Sequence, residues 1–302
     1  MGDNLQASNS SEGGLDQLPL NCLGTILSFL TPREVEIAAY VCRSFREASK
    51  WNFVWEKMLP PRYEQLAALD PAFDATRFRD LREFYFHLCQ FSLFANSTKG
   101  FWLDRNTGGA CLGIGARGLD ITWGNDLRYW KLTTKEDSLF PEVAQLESVC
   151  WFEVKGEIQC SLPPGDYTLS WRLFLVEAYS WESEPVHFTL SKDGLQHIES
   201  KCYLTELPGE VPGFRVPTKR QLDDGWVEYD VGEFTVGSDE KNCAVRFAMV
   251  AIEKLYWKYG ICLDGAVIRP TNLKAATRVN DDEQTVHEAE QMRCQQDIPE
   301  YC

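Results

Sequence analysis

No apolar run in this sequence approaches the ~20 consecutive residues that a helix needs to cross a bilayer, which excludes a helical membrane span. Cations are in short supply: 30 Lys and Arg face 45 Asp and Glu, a formal charge of −15. General phosphate binding works by basic side chains displacing counterions, so nucleic acid is not an expected partner. An anionic membrane surface would not attract such a chain either. Histidine is scarce, and His87, His187, His197 and His287 share no ligand spacing. No two of the eleven cysteines form a CxxC pair, so no metal site and no cofactor is expected. A GxSxG nucleophile elbow is also missing. The first residues lack a basic and an apolar signal region, and Gln6 stands where a myristoylation motif wants Ser or Thr. The ending Glu300-Tyr301-Cys302 is no prenylation box. Without an export signal the scattered cysteines read as reduced thiols packed as small hydrophobes, which predicts nucleus and cytoplasm. The sequons at Asn9 and Asn96 then read as chance matches.

What is present is a normal apolar content, 44%, with ten Trp, eleven Tyr and seventeen Phe. The length of 302 residues predicts two domains at about 100–200 residues each. Residues 1–14 are polar and Gly/Ser-rich, a disordered start. Leu20, Leu23, Ile26, Leu27 and Leu30 recur at three- and four-residue steps, one face of a helix. Thr31-Pro32-Arg33-Glu34 is a helix start, with Thr as cap, Pro at the first position and Glu three residues after the cap. Val35, Ala38, Val41, Cys42 and Phe45 make the second apolar stripe, and Asn52 to Leu59 a third helix that Pro60-Pro61 stops. Three short helices cannot bury much alone, so this segment needs a partner or a neighbouring domain. Residues 64–88 read as a helical connector.

From about Cys89 the runs turn short, alternating and β-rich. Strands are predicted at 119–123, 149–158, 167–176, 186–190, 226–236, 243–252 and 261–268, with turns at Pro163-Pro164-Gly165-Asp166 and Lys192-Asp193-Gly194. Short strands without intervening long helices predict an all-β sandwich or jelly roll. The tail 280–302 holds seven Asp and Glu against one Arg and reads as a disordered acidic extension.

Gly113-Ile114-Gly115-Ala116-Arg117-Gly118 spells GxGxxG, but Leu119 to Trp123 after it alternates like a strand rather than opening a helix. A loop between strands is therefore expected, not a phosphate cradle. Glu228 and Asp230 share one strand face, as do Glu153 and Lys155. Paired carboxylates can hydrolyse glycosides, whereas charges at period two mark a solvated strand face; the second reading is preferred, and no catalytic residue is assigned. The densest aromatic cluster runs from Ile121 through Trp123, Asn125, Asp126, Arg128 and Tyr129 to Trp130. Flat rings beside hydrogen-bonding groups suit a pyranose. The alternative is that the tryptophans anchor the core.

Leu18-Pro19 with Ile26-Leu27, then Val41-Cys42-Arg43-Ser44-Phe45, then Trp55, resembles an F-box over residues 15–63. It departs from the family at Asn21, where many members carry an acid, and at Phe45, where many carry Trp. Phe101-Trp102-Leu103-Asp104, Leu119 to Gly124, Val149-Cys150-Trp151-Phe152-Glu153-Val154 and Gly260 to Pro270 look like the phloem-lectin domain of plants, related to the tobacco jasmonate-induced lectin, over residues 89–279. The expected fold class is thus α+β multidomain: a small three-helix F-box followed by an all-β jelly-roll or β-sandwich lectin-like domain.

The resemblance implies a noncatalytic subunit of a cullin-based ubiquitin ligase. Its adaptor-binding residues would be Leu18, Pro19, Ile26, Leu27, Leu30, Pro32, Val41, Cys42, Phe45 and Trp55, facing a Skp-type adaptor on a cullin scaffold. The family's sugar-site tryptophans fall on Trp123 and Trp130, and Asp126 and Tyr129 join them as candidate carbohydrate-binding residues for N-acetylglucosamine-type glycans. The tobacco lectin's two C-terminal acids have no match near Asn242 and Ala251. A glycoprotein captured by its sugar and a protein captured by its surface therefore both stay open as targets.

Overall fold

A computed structural model describes residues 18–176, 179–205, 211–222 and 225–271. The expected disordered start and acidic tail lie outside the described residues.

Helix α1 (Leu20–Leu27) leads to α2 (Pro32–Val41), which starts with a complete capping box: the Thr31 hydroxyl accepts from the Glu34 amide, and the Glu34 carboxylate accepts from the Thr31 amide. The second apolar stripe does not continue as one helix. Cys42 is fully extended at φ −154° and ψ 170°, and its sulfur caps a separate helix α3 (Arg43–Ala48) by accepting from the Phe45 amide. Four helices rather than three thus precede the connector, the fourth being α4 (Asn52–Met58). The connector holds α5 (Tyr63–Ala67) and α6 (Leu81–Leu88), where Asp80 caps by accepting from the Glu83 amide.

Fourteen strands follow among the described residues, all paired antiparallel. The larger sheet runs β1 (Ser92–Phe94), β2 (Lys99–Leu103), β3 (Ala110–Gly115), β14 (Ile261–Pro270), β8 (Gly165–Leu175), β12 (Trp226–Val236) and β11 (Thr218–Gln221). Two short strands branch from β14: β6 (Val143–Leu146) pairs with it, and β5 (Trp130–Thr133) pairs with β6. The smaller sheet runs β10 (Gln196–Cys202), β9 (Val186–Lys192), β13 (Cys243–Ala251), β7 (Phe152–Cys160) and β4 (Asp120–Ile121). In β9 and β13 alternate residues are buried, as period-two patterning demands of a sheet with one face on a core. Trp171 of β8 meets Phe247 of β13 edge-on at 5.3 Å, and Phe188 of β9 stacks on Tyr229 of β12 at 6.2 Å, so aromatic pairs bridge the two sheets. Asp193 and Gly194 both have positive φ, which suits the tight three-residue connection 193–195 between β9 and β10, closed by the Leu195 amide donating to the Lys192 carbonyl at 3.0 Å.

The GxGxxG segment is not a loop. Its first two glycines lie in β3, buried, and only Ala116–Gly118 form a 3-10 turn. A Cβ on Gly115 would come within 2.6 Å of the Phe140 ring, and one on its cross-strand partner Gly265 within 2.1 Å of the Ile114 carbonyl. These glycines allow close packing of backbone and ring.

The helices do not form a separate body. One hydrophobic core runs from Leu23, Leu27, Val35 and Trp55 through Tyr85 to Phe101 and on into the sandwich. Across the junction the Tyr85 hydroxyl reaches the Asp104 and Arg105 carbonyls at 3.3 and 3.2 Å, Arg105 pairs with Glu36 at 3.2 Å, and Arg62 donates to the Glu240 carbonyl at 2.8 Å. The burial that three short helices could not supply comes from these neighbours.

The solvated-face reading of Glu228 and Asp230 is overturned. Glu228 is 1% exposed, and Arg269 grips it with two bonds of 2.7 Å. Arg220 lies at 2.9 Å and Arg172 at 3.6 Å. Asp230 is gripped by Arg220 and Ser170. Buried Asp264, in the β14 bulge, takes Arg172 at 2.8 Å and the amides of Leu139 and Phe140. Burial pushes the Glu228 carboxyl upward, but the guanidiniums of Arg269, Arg220 and Arg172 outweigh it and hold it below the usual range. At Asp264 burial wins and the carboxyl is raised. Three cations balance three anions, an arrangement that cross-links β8, β11, β12 and β14. Cys111, Cys202, Cys243 and Cys262 are buried, and burial pushes the Cys111 and Cys202 thiols up to about 12.

Candidate binding surfaces

The apolar stripe of α1 splits in two. Leu23 and Leu27 are buried, whereas Leu20 and Ile26 are exposed with Leu18 and Pro19 before them. Of the ten predicted adaptor contacts, Leu18, Pro19, Ile26 and Val41 lie open, and Leu30, Cys42 and Phe45 are half-buried. Leu27, Pro32 and Trp55 are buried, and the Trp55 indole donates to the Ser49 carbonyl at 2.6 Å. A buried side chain shapes the surface without touching a partner, so those three are framework positions. The same segment exposes three large apolar residues that the periodicity misses: Phe29 at 84%, Ile37 and Tyr40 at 83%. The stripe rule seeks the face that packs inward and passes over apolar residues on the opposite face. Apolar side chains this open on successive short helices are the mark of an interaction surface.

The second surface is the turn after β4. Trp123 is 57% exposed and holds φ +65°, left-handed backbone that a bulky residue adopts at a cost of about 1–3 kcal/mol. Its neighbours enforce it: Thr122 donates to the Glu153 carbonyl, Gly124 to that of Ile121 and Asp126 to that of Trp123. The turn thus spends backbone strain to hold an indole in solvent. Tyr129 packs on that ring at 5.9 Å, and the Arg128 guanidinium lies 5.3 Å over Tyr129. The Asp126 carboxylate is clamped by Arg128, which donates from its side chain and its amide and depresses that carboxyl to about 2. An open, shallow depression is lined by Ile121, Trp123, Gly124, Asn125, Asp126 and Leu127.

Trp130 is not part of this surface. It is 2% exposed, opens β5 and packs on Phe152 at 6.0 Å, which corrects its expected place in the sugar site. Pairing of β5 with β6 turns it inward, and the chain between the two tryptophans gives no hint of that. Two further exposed tryptophans escaped notice, Trp151 at 41% and Trp257 at 57%. Among the described residues no group of three or more His, Cys, Asp or Glu is placed to hold a metal ion.

Comparison with known proteins assigns both parts of the chain to known families. The F-box domain matches residues 15–57, and the Phloem protein 2 family matches residues 109–270. In Arabidopsis thaliana, F-box protein PP2-A15 is 34% identical over 274 residues, covering 85% of this chain and 88% of that protein. F-box protein PP2-A13 is 33% identical over 272 residues, with the same coverage. A family 35 carbohydrate binding module from Clostridium thermocellum aligns with 52% of this chain and 96% of its own at 11% identity and a TM-score of 0.30, too distant a likeness to bear on a ligand.

Proposed function

This chain belongs to the F-box proteins that carry a Phloem protein 2 domain, and on that footing we propose that it is the target-recognition subunit of a cullin-based ubiquitin ligase. The F-box binds a Skp-type adaptor through the apolar surface around Ile26, Phe29, Ile37, Tyr40 and Val41. The β-sandwich captures the target at the Trp123 turn through an N-acetylglucosamine-type glycan. The subunit performs no bond chemistry. It works by proximity, holding the target's lysines at high effective concentration near the ubiquitin thioester.

The observation that carries the glycan reading is Trp123 itself, an indole kept in solvent against a backbone penalty beside hydrogen-bonding side chains. An apolar sugar face stacks on such a ring. The few hydrogen bonds at its edge net ~0.5–1.5 kcal/mol each, so a weak, avidity-dependent site is expected. The test is a glycan array with the full chain co-expressed with adaptor, wild type beside Trp123→Gly. Glycine suits the left-handed backbone, so this variant is expected to melt no lower than wild type while losing array binding. A second reading, protein–protein capture, draws on the clamped state of Asp126, which leaves that carboxylate fewer acceptor positions for hydroxyls. Equal capture of the target before and after glycosidase treatment would favour it.

A further inference from the structure

Beside the Trp123 turn, β7 presents Glu153 and Lys155 on the outer face of the smaller sheet, with Trp151 just before the strand. Glu153 is tied to the turn twice. Its carbonyl accepts from the Thr122 amide at 3.0 Å, and its Oε2 accepts from the Thr122 hydroxyl at 3.1 Å. The same Oε2 takes the Trp151 indole N–H at 3.4 Å, and Oε1 pairs with Lys155 Nζ at 2.6 Å. One carboxylate, its side chain 22% exposed, is therefore held between the residue preceding the exposed indole of Trp123 and the exposed indole of Trp151.

An ionised carboxylate has about four acceptor positions, and three donors occupy three of them here. One remains for a donor from outside. The indole bond also fixes the orientation of the Trp151 ring, so little side-chain freedom is lost when a ligand stacks on it. The site has an acceptor and aromatic faces, which suits hydroxyl donors carried on a flat apolar ring face. Lys155 is engaged with Glu153, and the chain carries an excess of acid, so an acidic glycan finds little to attract it.

We propose that Glu153 is the hydroxyl-accepting carboxylate of the glycan site and Trp151 its second stacking platform, selecting neutral pyranosides over acidic ones. This inference rests on the glycan reading above and deepens it.

The test titrates the full chain, co-expressed with adaptor, with tri-N-acetylchitotriose by calorimetry. Glu153→Gln keeps the shape and removes the charge, and is expected to weaken binding about tenfold, as loss of one charge-assisted hydrogen bond would. Trp151→Ala should weaken it by a similar factor. Trp151→Phe, which keeps a ring but not the N–H, should fall between. Glu157→Gln, on the same strand but paired with Arg246, is the control and should bind as wild type does. Wild-type binding that Glu153→Gln and Trp151→Ala leave unchanged overturns this inference and spares the glycan reading. No wild-type binding to this probe and none on the array removes both.

Discussion

Tyr40→Asp, and separately Ile26→Asp, should abolish copurification of a Skp-type adaptor; Tyr40→Asp should shift the melting temperature by no more than about 2 °C, because substitutions of exposed residues stay within about 0.5 kcal/mol of neutral, and Ile26→Asp somewhat more. Tyr40 is 83% exposed, so little of the chain's own core depends on it, whereas Ile26 at 39% keeps part of its side chain against the chain. An aspartate there must shed its water against an apolar partner. Interface positions of this kind are worth about 2–4 kcal/mol, which corresponds to roughly a 30- to 1,000-fold loss of affinity. Leu27→Ala makes the contrast. Leu27 is fully buried, so its truncation should lower stability by about 2–5 kcal/mol through the cavity it leaves, with adaptor binding falling only as the fold does. Pull-down and thermal melting of the three variants separate contact from framework. A folded Tyr40→Asp and Ile26→Asp pair that still carries adaptor at wild-type level refutes the assigned surface.

The largest effect on stability is expected at Glu228. Glu228→Ala leaves Arg172, Arg220 and Arg269 without their shared anion in a nearly dry site, and removing one partner of a buried ion cluster costs about 3–5 kcal/mol. For a chain of this size that is a fall in melting temperature of about 6–20 °C. The sign of the pH dependence follows from the depressed carboxyl. Its contribution is present above the unfolded pKa and is lost as pH falls through the folded one. Asp264 works in the opposite direction, since its raised carboxyl is relieved by protonation in the acid range. Wild type should therefore lose stability on acidification, and Glu228→Ala should lose less over the same window. Denaturant melts across that window measure both, and parallel curves would show that Glu228 carries no net charge stabilisation.

The long strands were legible from alternation in β9 and β13 and, where both faces are buried as in β14, from long apolar runs bounded by turn residues. Strand β12 falls on 226–236 as expected, and β7, β8, β9, β13 and β14 lie within a few residues of their predicted bounds. Strand β3 was not, because it is buried on both faces and rich in glycine, so no alternation survives. Strands β10 and β11 lie at sheet edges and read as polar loops. The site was legible only in part. Trp123 and Trp130 are equivalent as sequence, seven residues apart in one aromatic run, and only the pairing of β5 with β6 separates ring in solvent from ring in core. Glu228 looked solvated because the arginines that cover it come from three other strands. Charge pairing across a sheet leaves no mark on local spacing.

The shared core between the helices and the sandwich has a geometric consequence. Tyr85, Arg105 and Arg62 leave no free linker on which the sandwich could swing about the F-box. A captured target would then be presented to the conjugating machinery at a fixed height and bearing, like a workpiece in a jig. The lysines modified would be those that happen to fall within a narrow shell around the docking point, and a target's size and the position of its recognised group would decide which ones they are.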